Sequence, residues 1–239
     1  MSMKKKIIAI IASSLGVVLV SALIAAGALM LIREEKVEET GNVLGVTWYS
    51  EDEKEFVIDT VDELMEFAAL SEFYTFKKQT VKLGADLVFN EGDAKDWEKN
   101  APANRWAPIS KFEGTFDGQN HTISGLYAKS YEAPIALFET TTRNAKIQNL
   151  SIVNSYFASG GTSGVATFAA KGDGKFTGHD SDAIIVCKGK NSGGIMGVSN
   201  TDVTFNECQF AGKIRSTGRI MGGILGRPQG LGYTDDGGI

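Results

Sequence analysis

The side chains best suited to chemistry in this sequence are spaced by one recurring interval. Asn144, Asp173 and Asp202 follow one another at a step of 29, and so do Leu150, His179 and Cys208. If that interval is a structural repeat, Asp173 and Asp202 stand on neighbouring coils. Two stacked carboxylates with nearby carbonyls could bind Ca²⁺ outside a cell. A carboxyl pair about 5–9.5 Å apart could instead hydrolyse a glycosidic bond. The plainer reading is a turn, because Asn and Asp bond their own backbone and tolerate left-handed geometry. His179 shares its column with Leu150 and Cys208, which both prefer burial, so it reads as a core or rim histidine. Asp180 and Asp182 offer no ligand spacing, and Arg215 and Arg219 read as solvated outer-face residues rather than a lyase base. His121, in Asn120-His121-Thr122, directly precedes an expected strand. Cys187 and Cys208 fit an exported chain that does not depend on disulfides, and could form one bridge. Two cysteines and two histidines are too few for the usual four-ligand zinc site. The sequence therefore assigns no catalytic, cofactor-binding or metal-binding residue.

The elements that position these residues repeat. Pro134 to Phe138 resembles Gly164 to Phe168, then Gly193 to Gly197, then Gly222 to Gly226, at spacings of 30, 29 and 29. Ile147, Phe176 and Phe205 keep the 29 step, as do Gly160, Gly189 and Gly218, and Tyr156, Ile185 and Ile214. Such a unit, holding short strands between Gly and Asn/Asp turns, cannot bury its own apolar face. Stacking the units does so, with strands about 4.8 Å apart. The expected fold is all-β, a right-handed parallel β-helix over residues 121–239. Glycine fits this picture, since 19 of the 28 glycines fall in residues 158–239. Upstream, residues 46–120 are expected to form a small capping segment. Thr60 and Glu63 make a capping box there, and Val61, Leu64, Met65 and Ala68 recur at helical spacing, so a helix is predicted over 61–71. That helix would shield strand edges that otherwise invite pairing with another chain. Residues 90–105 are polar and read as a loop.

The N-terminal stretch 1–33 stands apart. Residues 7–32 carry no charge, and follow Lys4, Lys5 and Lys6. This run is long enough to cross a bilayer, which takes about 20 apolar residues. Lysines before it and acids after it put the N-terminus inside and the bulk outside. The expectation is a signal anchor, 1–33, followed by a tether, 34–45. Cleavage at Ala26-Gly27-Ala28 is the alternative. Of 24 bases, four lie in residues 1–33, leaving 20 against 29 acids, a net of −9. This excludes a cytosolic enzyme and disfavours nucleic acid, because phosphate binding needs a positive field.

Three stretches carry a family likeness. Trp106 to Ile109, Phe112 to Gly118 and His121 to Tyr127 together resemble the leading segment of bacterial secreted surface proteins with GLUG repeats. Gly193 to Gly197 and Gly222 to Gly226 approximate the repeat's Gly-Gly-Leu-Val-Gly. Trp48-Tyr49, Phe56 to Ile58 and the helix from Thr60 look like the usual lead-in, so the likeness spans about residues 46–226. The first two repeats depart from it, ending in Phe138 and Phe168 rather than Gly. The chain also stops at Ile239 with no polar cap or sorting signal, as a fragment would. The resemblance implies a surface or secreted scaffold, often adhesive, with no catalytic residues to carry over. The expected function is surface adhesion or display, with the bilayer and a carbohydrate or protein ligand as partners. A polysaccharide lyase or glycosidase, and a passive stalk, are the alternatives.

Overall fold

Every β-ladder in the described chain is parallel, and each joins one coil to the next. The computed structural model describes Leu44, 46–160, 164–218 and 220–229, all within the second of the chain's two units, Glu39–Ile239. The expected anchor at 7–32, the tether apart from Leu44, and Arg219 lie outside the described residues. No helix among those described is long and apolar enough to cross a membrane.

One inward-facing column counts the coils. Phe56 pairs with Val81, Val81 with Phe116, Phe116 with Ile147, Ile147 with Phe176, and Phe176 with Phe205. Five of the six are buried, and Phe205 packs partly buried against them. The fold is therefore a parallel β-solenoid of about six turns. Successive partner numbers along this column differ by 25, 35, 31, 29 and 29, so the early coils vary in length and the later ones do not.

The first coil holds β1 (Glu55–Ile58) and α1 (Val61–Leu70). The second holds β2 (Thr80–Leu83), β3 (Leu87–Val88) and β4 (Ile109–Phe112). The third holds β5 (Thr115–Asp117), β6 (Thr122–Ser124), β7 (Tyr127–Ser130) and β8 (Phe138–Thr141). From β9 (Lys146–Val153) and β10 (Tyr156–Ser159) the pattern recurs, with strands running round the corners. It continues in β11 (Ala169–Ser181), β12 (Ile184–Cys187) and β13 (Asn191–Gly193). The last coil comprises most of β14 (Met196–Phe210), then β15 (Lys213–Ser216), β16 (Ile220–Gly222) and β17 (Leu225–Pro228). Three rungs of the stack, β1, β2 and β5, thus come from the stretch read on sequence as a cap.

The helix starts where its signal lies. Glu63 N–H donates to Thr60 Oγ1 at 3.2 Å, and Thr60 N–H donates to Glu63 Oε2 at 3.0 Å. Its buried face carries Leu64, Phe67, Ala68 and Leu70. Phe67 meets Phe76 at 4.7 Å, and Phe112 and Phe116 at 5.9 Å each. The helix lies against β4, the first strand of the β4–β8 ladder, and Ser110 N–H donates to Ser71 Oγ at 2.7 Å. An edge amide is thereby satisfied by the helix end rather than left open.

The regular register is broken and then restored. Ile152 pairs with Ser181 at a step of 29, but Tyr156 pairs with Ile184 at a step of 28, because the corner at Asp182-Ala183 is shorter by one. Ile185 therefore stacks on Phe157, not Tyr156, and Gly160 falls out of line with Gly189 by the same amount. Further on, Val165 pairs with Ser192, a step of 27, rather than with Gly194. The ladder shifts between Gly172 and Gly174, and Gly174 regains the step of 29 against Val203. Local bulges hide inside a period that looks uniform.

Candidate functional site

The column of Asn144, Asp173 and Asp202 forms a fastened corner. Asp173 Oδ1 accepts from the amides of Thr201 at 2.8 Å and Asp202 at 2.9 Å. Its own carbonyl accepts from the Thr141 hydroxyl at 2.7 Å. Burial pushes the Asp173 carboxyl up, but the amides of Thr201 and Asp202 outweigh it and hold the group below the usual carboxylate range. Asp202 turns its carboxylate outward, 3.9 Å from Arg143. The two carboxylates therefore serve separate partners. Among the described residues no cluster of three or more His, Cys, Asp or Glu side chains converges.

His179 is fully buried. Its Nδ1 lies 3.1 Å from the Leu150 carbonyl and its Nε2 lies 2.9 Å from the Ile147 carbonyl. Those carbonyls flank a left-handed corner that recurs on four coils: Asn120 (φ 65°), Asn149 (φ 53°), Gly178 (φ 67°) and Glu207 (φ 52°). The imidazole covers polar groups that the corner turns inward, where an unpaired carbonyl is costly. Burial pushes its pKa down to about 4 against the pull of both carbonyls, so it is neutral at pH 7. One ring nitrogen donates and the other presents a lone pair. Phe168 packs against it at 4.3 Å, the two rings tilted by 32°.

The other candidates lie apart from these two. His121 Nδ1 sits 3.1 Å from Asp86 Oδ1 on the surface. Cys187 and Cys208 are free thiols. Their backbone partners differ, Ser216 for Cys187 and His179 for Cys208, so they lie on separate faces of the coil. Arg215 Nη2 donates to Glu98 Oε2 at 2.7 Å, and is therefore engaged rather than merely solvated.

That last contact leads to a site which the repeat pattern did not reveal. The sheet β7–β10–β12–β15 presents two rows outward: Tyr127, Tyr156, Ile184 and Lys213, then Lys129, Ala158, Val186 and Arg215. These rows are largely apolar although they face away from the core. The reason is the long second coil, whose extra length folds over them as a strap. Ala94 and Trp97 pack onto Tyr127, Tyr156 and Ala158 in a small second core. Trp97 meets Tyr127 edge-on at 6.2 Å, and Tyr127 stacks on Tyr156 at 5.6 Å. Asn154 clamps the strap, since its Oδ1 accepts from Ala94 N–H at 2.9 Å and its Nδ2 donates to the Gly92 carbonyl at 2.7 Å.

Where the strap ends at Glu98, a cleft of about 80 Å³ opens, lined among others by Lys129, Tyr131, Tyr156, Ala158, Gly160 and Lys188. Burial first, and the Glu98 charge second, push the Tyr156 hydroxyl up to about 12, so it stays a proton donor. A larger cavity of about 350 Å³ lies between residues 49–54 and 74–79. There the Gln79 amide donates to the carbonyls of Ser50, Glu51 and Glu53, fastening the loop.

Comparison with known proteins gives little to attach to this geometry. No family model matches the chain, and no curated protein matches it. Among solved structures it is similar to a Bacteroides ovatus protein described as a candidate immunoglobulin A1 protease, at 18% identity and a TM-score of 0.47. That alignment covers 75% of this chain and 63% of the other chain's length.

Proposed function

We propose that the chain is a membrane-anchored, outward-facing β-solenoid scaffold for surface adhesion or display, with no reaction of its own. One observation carries this reading: the titratable groups of the coil interior are spent on fastening coils. Asp173 holds a corner by accepting from the amides of Thr201 and Asp202, and His179 lies between two carbonyls. At the cleft, Lys129 and Lys188 are instead exposed and form no ion pair among the described residues, as a binding surface requires. A GLUG-type surface protein of right-handed winding is the family and geometry this reading favours, since parallel crossovers are right-handed in about 98% of cases. The charge of −9 outside residues 1–33 and the apolar run 7–32 support export and anchoring.

Protease treatment of intact cells tests the topology. The solenoid is expected to be trimmed from outside while a membrane-bound N-terminal stub survives. A solenoid protected in intact cells and cut only after lysis refutes it. The claim of no catalysis is tested by incubating the purified protein with bacterial and host polysaccharides. Turnover that Asp173→Asn abolishes would establish the enzyme alternative instead.

A further inference from the structure

We propose that the cleft beside the strap binds a sugar ring bearing a carboxylate, such as a hexuronate at the accessible end of a glycan; this rests on the surface-binding reading above. The cleft is built by a change of residue size between coils. Ala158 and Gly160 form its floor on the fourth coil. Lys129 and Tyr131 rise beside them on the third coil, and Val186 and Lys188 on the fifth. Walls two rungs apart stand about 9.6 Å from each other, leaving a slot one flat ring wide. Gly160 is constrained to remain bare, since a Cβ there would come within 2.9 Å of the Tyr131 carbonyl oxygen. The volume of about 80 Å³ corresponds to about three waters at about 30 Å³ each, so the slot seats one edge of a ring and leaves the rest outside.

The lining supplies matching chemistry. Tyr131 is 81% exposed beside the slot, an apolar aromatic face for the C–H face of a sugar. Tyr156 is only 2% exposed, yet its hydroxyl has no hydrogen-bond partner among the described residues. That hydroxyl opens on the slot, where it can donate to a ligand oxygen. Lys129 and Lys188 form no ion pair among the described residues, although the chain is rich in acids. Glu98 also lines the slot, but Arg215 holds it at 2.7 Å, so the uncompensated charge is positive. An exposed ring, a hydroxyl donor open to the slot and two ammonium groups without an ion pair fit a carboxylated sugar better than a neutral one.

Titration calorimetry on the full chain in mild detergent tests this, using a glucuronate-terminated oligosaccharide and its glucose-terminated counterpart. The acidic sugar is expected to bind with a Kd of about 0.1–1 mM, and the neutral one at least about tenfold more weakly. Lys188→Gln should weaken the acidic ligand about tenfold and narrow that preference. Ala158→Leu should fill the floor and abolish binding. Tyr131→Ala, at an exposed position, provides a second variant that keeps the fold if Ala158→Leu does not. No binding of either sugar, equal binding of both, or full binding by Lys188→Gln and Tyr131→Ala overturns the proposal. The surface reading fails separately: a solenoid shielded from protease in intact cells refutes it even if the purified chain binds the sugar.

Discussion

Glu207 and His179 share one corner and respond in opposite ways to substitution. Glu207 sits at φ 52° in the left-handed column where the other coils place Asn120, Asn149 and Gly178. A non-glycine residue there costs about 1–2 kcal/mol, less for Asn. Glu207→Asn is therefore expected to raise stability by roughly 0.5–1 kcal/mol, read as a higher urea midpoint with an unchanged slope. His179 has its pKa depressed by burial to about 4, from 6.5 in the unfolded chain. Between those values the unfolded chain binds the extra proton. Stability is thus fully present above about pH 6.5 and is lost as pH falls toward 4, by up to about 3 kcal/mol. His179→Leu should flatten this acid limb. It should also cost about 1–3 kcal/mol at pH 7, because the inward carbonyl that His179 served is left bare. Equilibrium unfolding across pH measures both effects, and an unchanged acid limb in the variant would contradict the assignment. Sequence columns placed His179 correctly in the interior. They did not show its task, because the carbonyls it meets are turned inward by φ angles that residue types only hint at.

Among the elements, the strap separates a bare sheet from a covered one. Its anchors are Trp97, 4% exposed, and the Asn154 amide bonded to Ala94 and Gly92. Trp97→Ala should cost roughly 3 kcal/mol, as removal of a well-packed aromatic does. It should also expose Tyr127 and Tyr156, a change readable by tyrosine accessibility and by faster amide exchange in β7 and β10. If the loss is global, with no selective change there, the strap is not a separate packing unit. The polar composition of residues 90–105 identified a loop and nothing more. Trp97 alone hinted that the loop carried something to bury. The helix was plainer: Thr60 and Glu63 satisfy each other's neighbouring amides locally, so its start needed no tertiary partner to be read, and it runs Val61–Leu70 against the expected 61–71.

For the solenoid as a whole, the β-ladders bond each coil only to its neighbours, so stability is close to a sum over stacked coils, to which the strap adds its longer reach to Asn154 and Arg215. In the last described coil, Val203, Phe205, Phe210, Ile214 and Leu225 are only partly buried, whereas Ile147, Phe157, Phe176 and Ile185 are fully buried. Amide exchange is therefore expected to be faster along 203–228 than along 146–187. Uniform protection would argue that a further layer covers that coil. The sequence by itself determined the parallel stack and its inward columns, because equal coils place like residues at equal steps. The run Ile147, Phe176, Phe205 is such a case. Only the tertiary structure decided that there are about six turns, where Tyr156 and Phe157 trade places, and what covers the outward sheet. The physical reason is that the unequal coils from Phe56 to Val81, Phe116 and Ile147 stack as well as the equal ones that follow. A parallel ladder fixes the register of its strands and leaves the corners free to lengthen. A strap or a slot built in such a corner leaves no periodic trace.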